Sequence, residues 1–315
     1  MADVQQYVFF DFEMLCSNRG MPFEDMEAIR LGAVKYDLAS ENIVYFDEYI
    51  RPQNFRPLSS FCKKLTGIYD QDLVDAKDFP TVFEEFLTWV GGIKRTRFFS
   101  WSPSDISRLK LDADRHDISS RTVKKIVQRY VDFQAIFTKR VTKENVSVER
   151  GLDFYGLTFS GQQHNPMHDA FNTLQIYLRF VNDPKASDLI MLKQFIFQEA
   201  EYLPRSRKKL NQEISKQLEK DVHSFLMELK EIYKMKDASK LTKRARRLSQ
   251  KYENILINRS GLFEKDVMDN IRLLVDFHHE LQLSFEEHMS HASRIMILPE
   301  SIIQPMNELS LKRGC

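Results

Sequence analysis

The chain has 315 residues, which fits two domains at about 150 residues each. Hydrophobic residues make up 43% and charged residues 29%, a balance that excludes a wholly disordered chain. Three cysteines, Cys16, Cys62 and Cys315, exclude a disulfide framework and offer no CxxC metal spacing.

No run of about 18 apolar residues occurs, so no membrane span is expected. The first residues lack a basic stretch followed by an apolar one, so no secretory leader is expected and a cytoplasmic location is. The net charge of +1 hides an asymmetry. Residues 1–183 hold 23 Lys+Arg against 26 Asp+Glu, and residues 184–315 hold 23 against 19. A uniformly basic coat is excluded, and a local basic patch is not.

The aromatic run at 7–12 predicts a buried strand. Strands are predicted over 29–36 and 43–50, joined by the turn-rich 37–42, which makes an antiparallel meander. Pro80 opens a helix in which Val82, Phe83, Phe86, Leu87 and Val90 recur at helical steps, and Gly91-Gly92 ends it. A fourth strand is predicted over 96–101, a helix N-capped by Ser104 to about 115, a fifth strand over 131–137 and a helix over 167–181. Beyond residue 183 strand signal nearly vanishes. Leu210, Ile214, Leu218, Val222, Phe225, Leu229 and Ile232 keep one helical period, and Phe263, Val267, Ile271, Leu274, Phe277 and Leu281 keep another. The expected architecture is a mixed α/β sheet of five strands flanked by helices (1–183), followed by an all-α region (184–315).

Candidate chemistry lies in four carboxylates. Asp11 and Glu13 sit two apart at a strand end, so both project to one face, with Phe12 turned to the core. Two such carboxylates repel, and a divalent cation between them would relieve the repulsion. Asp105 follows an aromatic strand and lies near a helix start, as does Asp169, which stands five residues after His164.

The order Asp-x-Glu, strand-then-Asp, His-x4-Asp resembles the DEDDh 3′→5′ exonucleases, which use an RNase H-like sheet. Leu65-Thr66-Gly67-Ile68, Val131-Asp132-Phe133-Gln134 and the stretch from Gly151 to Gly161 add to the resemblance, which covers about residues 5–182. The wording is most similar to the KapD branch and to the enhanced-RNAi exonucleases. The resemblance implies two Mg²⁺ or Mn²⁺ ions held by Asp11, Glu13, Asp105 and Asp169. It implies His164 as general base and nucleoside 5′-monophosphate released from single-stranded 3′ ends, with RNA favoured over DNA. It also implies that Met14 and Leu15 pack on the terminal nucleotide and that Thr66 contacts its sugar through its backbone or its hydroxyl.

Three positions depart from the family pattern. Pro166 stands where a small residue is usual, His168 replaces an acid before Asp169, and Ser102-Pro103 replaces a glycine. His168 thereby competes with His164 for the base role, and Pro103 could displace Asp105. In the helical half, six cations and no acid occur over 238–251, which makes Arg244, Arg246 and Arg247 candidates for phosphate contact. That half could alternatively hold a protein partner or a second copy of the chain. Two other readings stay open. One is a catalytically weak or inactive regulator of the KapD type, acting through its helices. The other is a DNA-preferring proofreading exonuclease.

Overall fold

The computed structural model describes residues 3–54, 56–198 and 203–311. Two compact units emerge, one of residues 1–139 with 144–182 and one of residues 140–143 with 183–315. Cys16 and Cys62 are free thiols, and Cys315 lies outside the described residues.

The first unit opens with β1 (Gln6–Met14), β2 (Ala28–Asp37) and β3 (Ile43–Arg51) in an antiparallel meander. It continues with α1 (Ser60–Thr66), α2 (Asp70–Val74), β4 (Lys77–Asp78), α3 (Phe79–Val90), β5 (Thr96–Ser100), α4 (Pro103–Arg115) and α5 (Ser120–Val127). Then come β6 (Tyr130–Asp132), α6 (Phe133–Phe137), α7 (Val148–Phe154) and α8 (Pro166–Asn182). The sheet order is β4-β3-β2-β1-β5-β6, with β5 parallel to β1 and β6 parallel to β5.

The sheet has six strands where five were expected. The extra one, β4, is a two-residue edge pairing, too short for any hydrophobic period. The expected fifth strand is only three residues long. Asp132 then accepts a hydrogen bond from the Ala135 amide at 2.9 Å, which caps a helix where the apolar run suggested more strand. At α4 the cap is Ser102 rather than Ser104, so Pro103 takes the first helical position, where its missing N–H costs nothing.

The two faces of β1 do different work. Val8, Phe10 and Phe12 pack on Phe79, Val82, Phe83 and Phe86 of α3 and on Ile106 and Leu109 of α4. Burying each such side chain contributes about 1.5–3 kcal/mol. Tyr7 and Phe9 face the other way, each with its ring 5.4 Å from that of Tyr177 on α8. Asp11 and Glu13 continue that second face towards the start of α8.

Gly32 of β2 pairs with Asp11 in the sheet register. A Cβ there would lie 2.0 Å from the Met167 amide nitrogen and 2.2 Å from the Pro166 carbonyl carbon. Only a bare α-carbon lets the first turn of α8 seat directly on the sheet.

The second unit contains α9 (Pro184–Phe195), α10 (Arg207–Leu226), β7 (Ile232–Lys234), α11 (Met235–Tyr252), α12 (Lys265–Ser290), β8 (Ile295–Ile297) and α13 (Glu300–Leu311). The expected periodic residues of α10 and α12 are buried in one cluster. Two expectations fail. First, α10 ends at Leu226, so Leu229 and Ile232 are not on it. Second, the unit is not all-α: β7 and β8 form an antiparallel ribbon that turns Tyr233 and Met296 inward and leaves Ile232, Ile295 and Ile297 exposed. Three-residue strands are too short for their alternation to stand out. Arg140, which groups with the second unit, forms a buried ion pair with Asp188, which also accepts from Ser260. Among the described residues no helix is long and apolar enough to cross a membrane.

Substituting Gly32→Ala should cost about 3 kcal/mol or more in denaturant unfolding, because the clash is with backbone that cannot rotate away. Gly92→Ala, where a Cβ would meet nothing within 4 Å, is the neutral control. Equal stabilities would refute the close-approach account.

Candidate active site

Asp11 and Glu13 reach the site from the end of β1. A register irregularity between Glu13 and Met14 bends the strand there, and both Glu13 and Met14 line the resulting cleft. Asp169 arrives from the first turn of α8. Each of Asp11, Glu13 and Asp169 offers a carboxylate oxygen within 4.8 Å of the others, and this is the one potential metal-holding group among the described residues.

Asp105 stands beside this trio rather than in it. It is 3% exposed, accepts a hydrogen bond from the Phe12 amide at 3.2 Å and hydrogen-bonds with Asp11. Pro103 does not displace it; the Ser102 cap fixes the helix start that carries it.

Burial dominates the electrostatics. Desolvation, reinforced by Asp105, Asp169 and Glu13, holds the Asp11 carboxyl well above the usual carboxylate range. Desolvation and the neighbouring acids push Glu13 up to about 8, against a lowering contribution from Arg30. Arg30 is itself engaged with Asp47 through two hydrogen bonds of 2.7 and 2.6 Å. Burial raises Asp105 to about 7, opposed by the Phe12 amide, and raises Asp169 to about 7, opposed by the His164 amide. Buried carboxylates without enough counter-charge take up either protons or cations. A trio of hard oxygen donors at this spacing suits Mg²⁺ or Mn²⁺.

His164 is exposed, has φ of 58° and lines the same cleft as the carboxylates. His168 does not line it. The His168 Nδ1 accepts a hydrogen bond from the Gln162 amide at 2.9 Å, and its ring lies over Gly161. Of the two histidines, geometry brings only His164 to the carboxylates.

The remaining expected residues divide. Met14 is at the cleft, and Leu15 instead packs against the cluster of Ile29, Leu58, Cys62, Ile68 and Leu73. Leu15 follows the strand irregularity and faces the core. Thr66 is buried, with its hydroxyl donating to the Cys62 carbonyl and accepting from the Ile68 amide, so its side chain is spent on the turn. Arg244, Arg246 and Arg247 lie on the exposed side of α11 in the second unit. Arg244 is paired with Glu228 at 2.7 Å and lies over the Phe225 ring.

Trp101, Ser102, Ser104, Ser147, Glu149 and Phe159 also line the cleft and were given no place in the site from sequence. Gly32 and Asn172 were missed too. The signal for Gly32 was available, since a lone glycine within a strand marks close backbone approach. Asn172 gave none, because its partners, the amide and carbonyl of Ser160 and the carbonyl of His168, are backbone groups.

A six-stranded mixed sheet with an acidic cleft at the end of its first strand defines an exonuclease-type domain. The chain belongs to the RNase T exonuclease family, the DEDDh 3′–5′ exonucleases, whose model matches residues 8–177. It is 24% identical over 199 residues to ERI1 exoribonuclease 2 of Xenopus laevis, covering 56% of this chain and 28% of that protein. It is 28% identical over 186 residues to 3′-5′ exoribonuclease 1 of Rattus norvegicus, covering 55% and 52%. The chain thus spans about a quarter to a half of the length of these relatives. The nuclease domain of 3′hExo, a DEDDh family member bound to rAMP, shares the fold with a TM-score of 0.52, 21% identity, and coverage of 58% of this chain and 95% of that one.

The raised carboxyls predict an unusual pH response. An unfolded carboxyl titrates at about 4. In the folded protein, Asp105 and Asp169 titrate near 7 and Glu13 near 8. Between these limits the folded state binds more protons, so metal-free stability falls as pH rises. Thermal unfolding in chelator should show a lower Tm at pH 8 than at pH 5.5. Mn²⁺ at a hundred times its Kd should restore about 2.7 kcal/mol at pH 8 and much less at pH 5.5, where protons compete. A metal-free Tm that rises over this range would contradict the burial argument.

Proposed function

We propose that this chain is a metal-dependent 3′→5′ exonuclease that releases nucleoside 5′-monophosphates from single-stranded nucleic acid, with RNA favoured over DNA. The observation that carries the reading is the Asp11, Glu13 and Asp169 trio with His164 on the same cleft. Family membership and the exoribonuclease names of the relatives support it.

In this reading Asp11, Glu13 and Asp169 hold two Mg²⁺ or Mn²⁺ ions, with Asp105 supporting Asp11. When bound, such ions supply Lewis-acid stabilisation at the scissile phosphate and lower the pKa of the attacking water. His164 takes the water's proton on a ring nitrogen, as an imidazole does near neutral pH. Met14, Trp101 and Phe159 give the terminal nucleoside apolar walls, and the Ser102, Ser104 and Ser147 hydroxyls offer hydrogen bonds to its polar groups. Residues 1–183 serve as the catalytic domain. In the helical region Arg244, Arg246 and Arg247 capture the strand by phosphate contact, which makes binding salt-dependent. The same region is a candidate surface for a protein partner or self-association.

The test uses 5′-labelled RNA and DNA of one sequence. A descending ladder should appear with Mg²⁺ or Mn²⁺, vanish with chelator and vanish in Asp11→Asn. His164→Ala should lower kcat by about 10²–10⁴-fold. The RNA-to-DNA rate ratio sets the substrate class, and a preference for DNA would favour the proofreading reading. No ladder from folded protein with either metal would overturn the enzyme reading and favour a regulator acting through its helices.

A further inference from the structure

The histidine-bearing loop is tied to α8 by three alternating amides. The Ser160 amide donates to the Asn172 side chain at 3.0 Å, and the Gln162 amide donates to His168 Nδ1 at 2.9 Å. The His164 amide donates to the Asp169 carboxylate. The middle tie lies nearest to His164 in sequence on the side away from the helix. It also belongs to the residue at which this chain departs from the acid usual before the last aspartate.

We propose that His168 is a positioning residue whose side chain sets where the His164 ring stands. Two features of the geometry support this. Nδ1 lies 2.9 Å from the Gln162 amide nitrogen and 3.3 Å from the Gln162 carbonyl oxygen, so an unprotonated Nδ1 accepts from the amide, the shorter of the two contacts. The ring also occupies the space that a Cβ on residue 161 would need: an added methyl there would lie 2.5 Å from the ring. Gly161, at φ 91°, lets the loop lie flat on the imidazole. His164 itself sits in the left-handed region at φ 58°, a conformation that survives only where neighbours hold it. With the Gln162 amide released, the next tie on that side of His164 is the Ser160–Asn172 pair, four residues away. A base displaced by about 1 Å can cost about 10²-fold in rate.

The inference rests on His164 acting as general base, and the experiment separates the two claims. In the full chain with Mn²⁺, His168→Leu removes the acceptor, and His168→Asn keeps one at the place of Nδ1. Gly161→Ala would place a Cβ 2.5 Å from the ring and 2.6 Å from Nδ1, so it displaces the ring from the tie by sterics, at a residue whose φ of 91° adds backbone strain of its own. His168→Leu and Gly161→Ala should lower kcat by about 10- to 100-fold with KM and Mn²⁺ affinity unchanged, and His168→Asn should recover most of the rate. The Gln162 amide should be protected from hydrogen exchange in the native protein and in His168→Asn, and exposed in His168→Leu. Added to His164→Ala, the His168→Leu change should cost nothing further. If His164→Ala is slow while His168→Leu is fully active, or if His168→Asn is as slow as His168→Leu, positioning by this hydrogen bond is wrong. If His164→Ala is fully active, the general-base reading fails instead, and the exchange protection of Gln162 still reports whether the tie exists.

Discussion

The site depends on one absent side chain. Asp11 and Glu13 belong to a strand, Asp169 to a helix more than 150 residues later in the chain, and the two meet only because Gly32 has no Cβ. The helix start sits on the sheet at backbone contact distance, and the register that pairs Gly32 with Asp11 places the contact beside the acids. The aromatic packing of Tyr7, Phe9 and Phe99 on Tyr177 holds the rest of α8 along the same face. Fold and site are therefore one constraint: what seats the helix also assembles the trio.

Assembly carries an electrostatic cost. Four acids converge, Asp105 buried and the other three half-buried in the cleft, and Arg30, the cation that lowers Glu13, is held in a two-point pair by Asp47. The metal-free site lowers that cost by holding protons, which is why its carboxyls titrate late. Divalent cations do the same with more charge per ion. A site that is poor at keeping carboxylates charged by itself is, for the same reason, a good one for Mg²⁺ or Mn²⁺.

Much of this was readable in the residues. The aromatic run with Asp-x-Glu at its end, the meander and the periodic faces of α3, α10 and α12 are strong local patterns, and the structure places them as the patterns require. The family resemblance rested on spacing between carboxylates, and the match over residues 8–177 agrees with it. The ERI1 names of relatives correspond to its enhanced-RNAi part; the KapD part remains a proposal from the wording of the sequence alone. What escaped was short or tertiary. β4, β7 and β8 are two or three residues long, so they have no period to detect. Residues 133–137 looked like a continuation of the strand because a single aspartate cap does not change the hydrophobic pattern around it. Leu15 and Thr66 were assigned by their place in a motif, and burial then turned both inward. Spacing favoured His164 over His168, and the structure agrees in that His164 lines the cleft while His168 is turned to Gln162 and Gly161.

The central claim is that α8, docked on the sheet, completes a divalent-cation site with β1. Its most direct test is Mn²⁺ binding by the full chain, followed by the paramagnetic resonance signal of free Mn²⁺, in native protein and in Asp169→Asn. The account predicts saturable binding at neutral pH that weakens by about tenfold or more in Asp169→Asn, a loss of about 1.4 kcal/mol or more, while the folded state persists. Unchanged Mn²⁺ affinity in a folded Asp169→Asn protein would contradict it, because the helix would then contribute nothing to the site it is docked to complete.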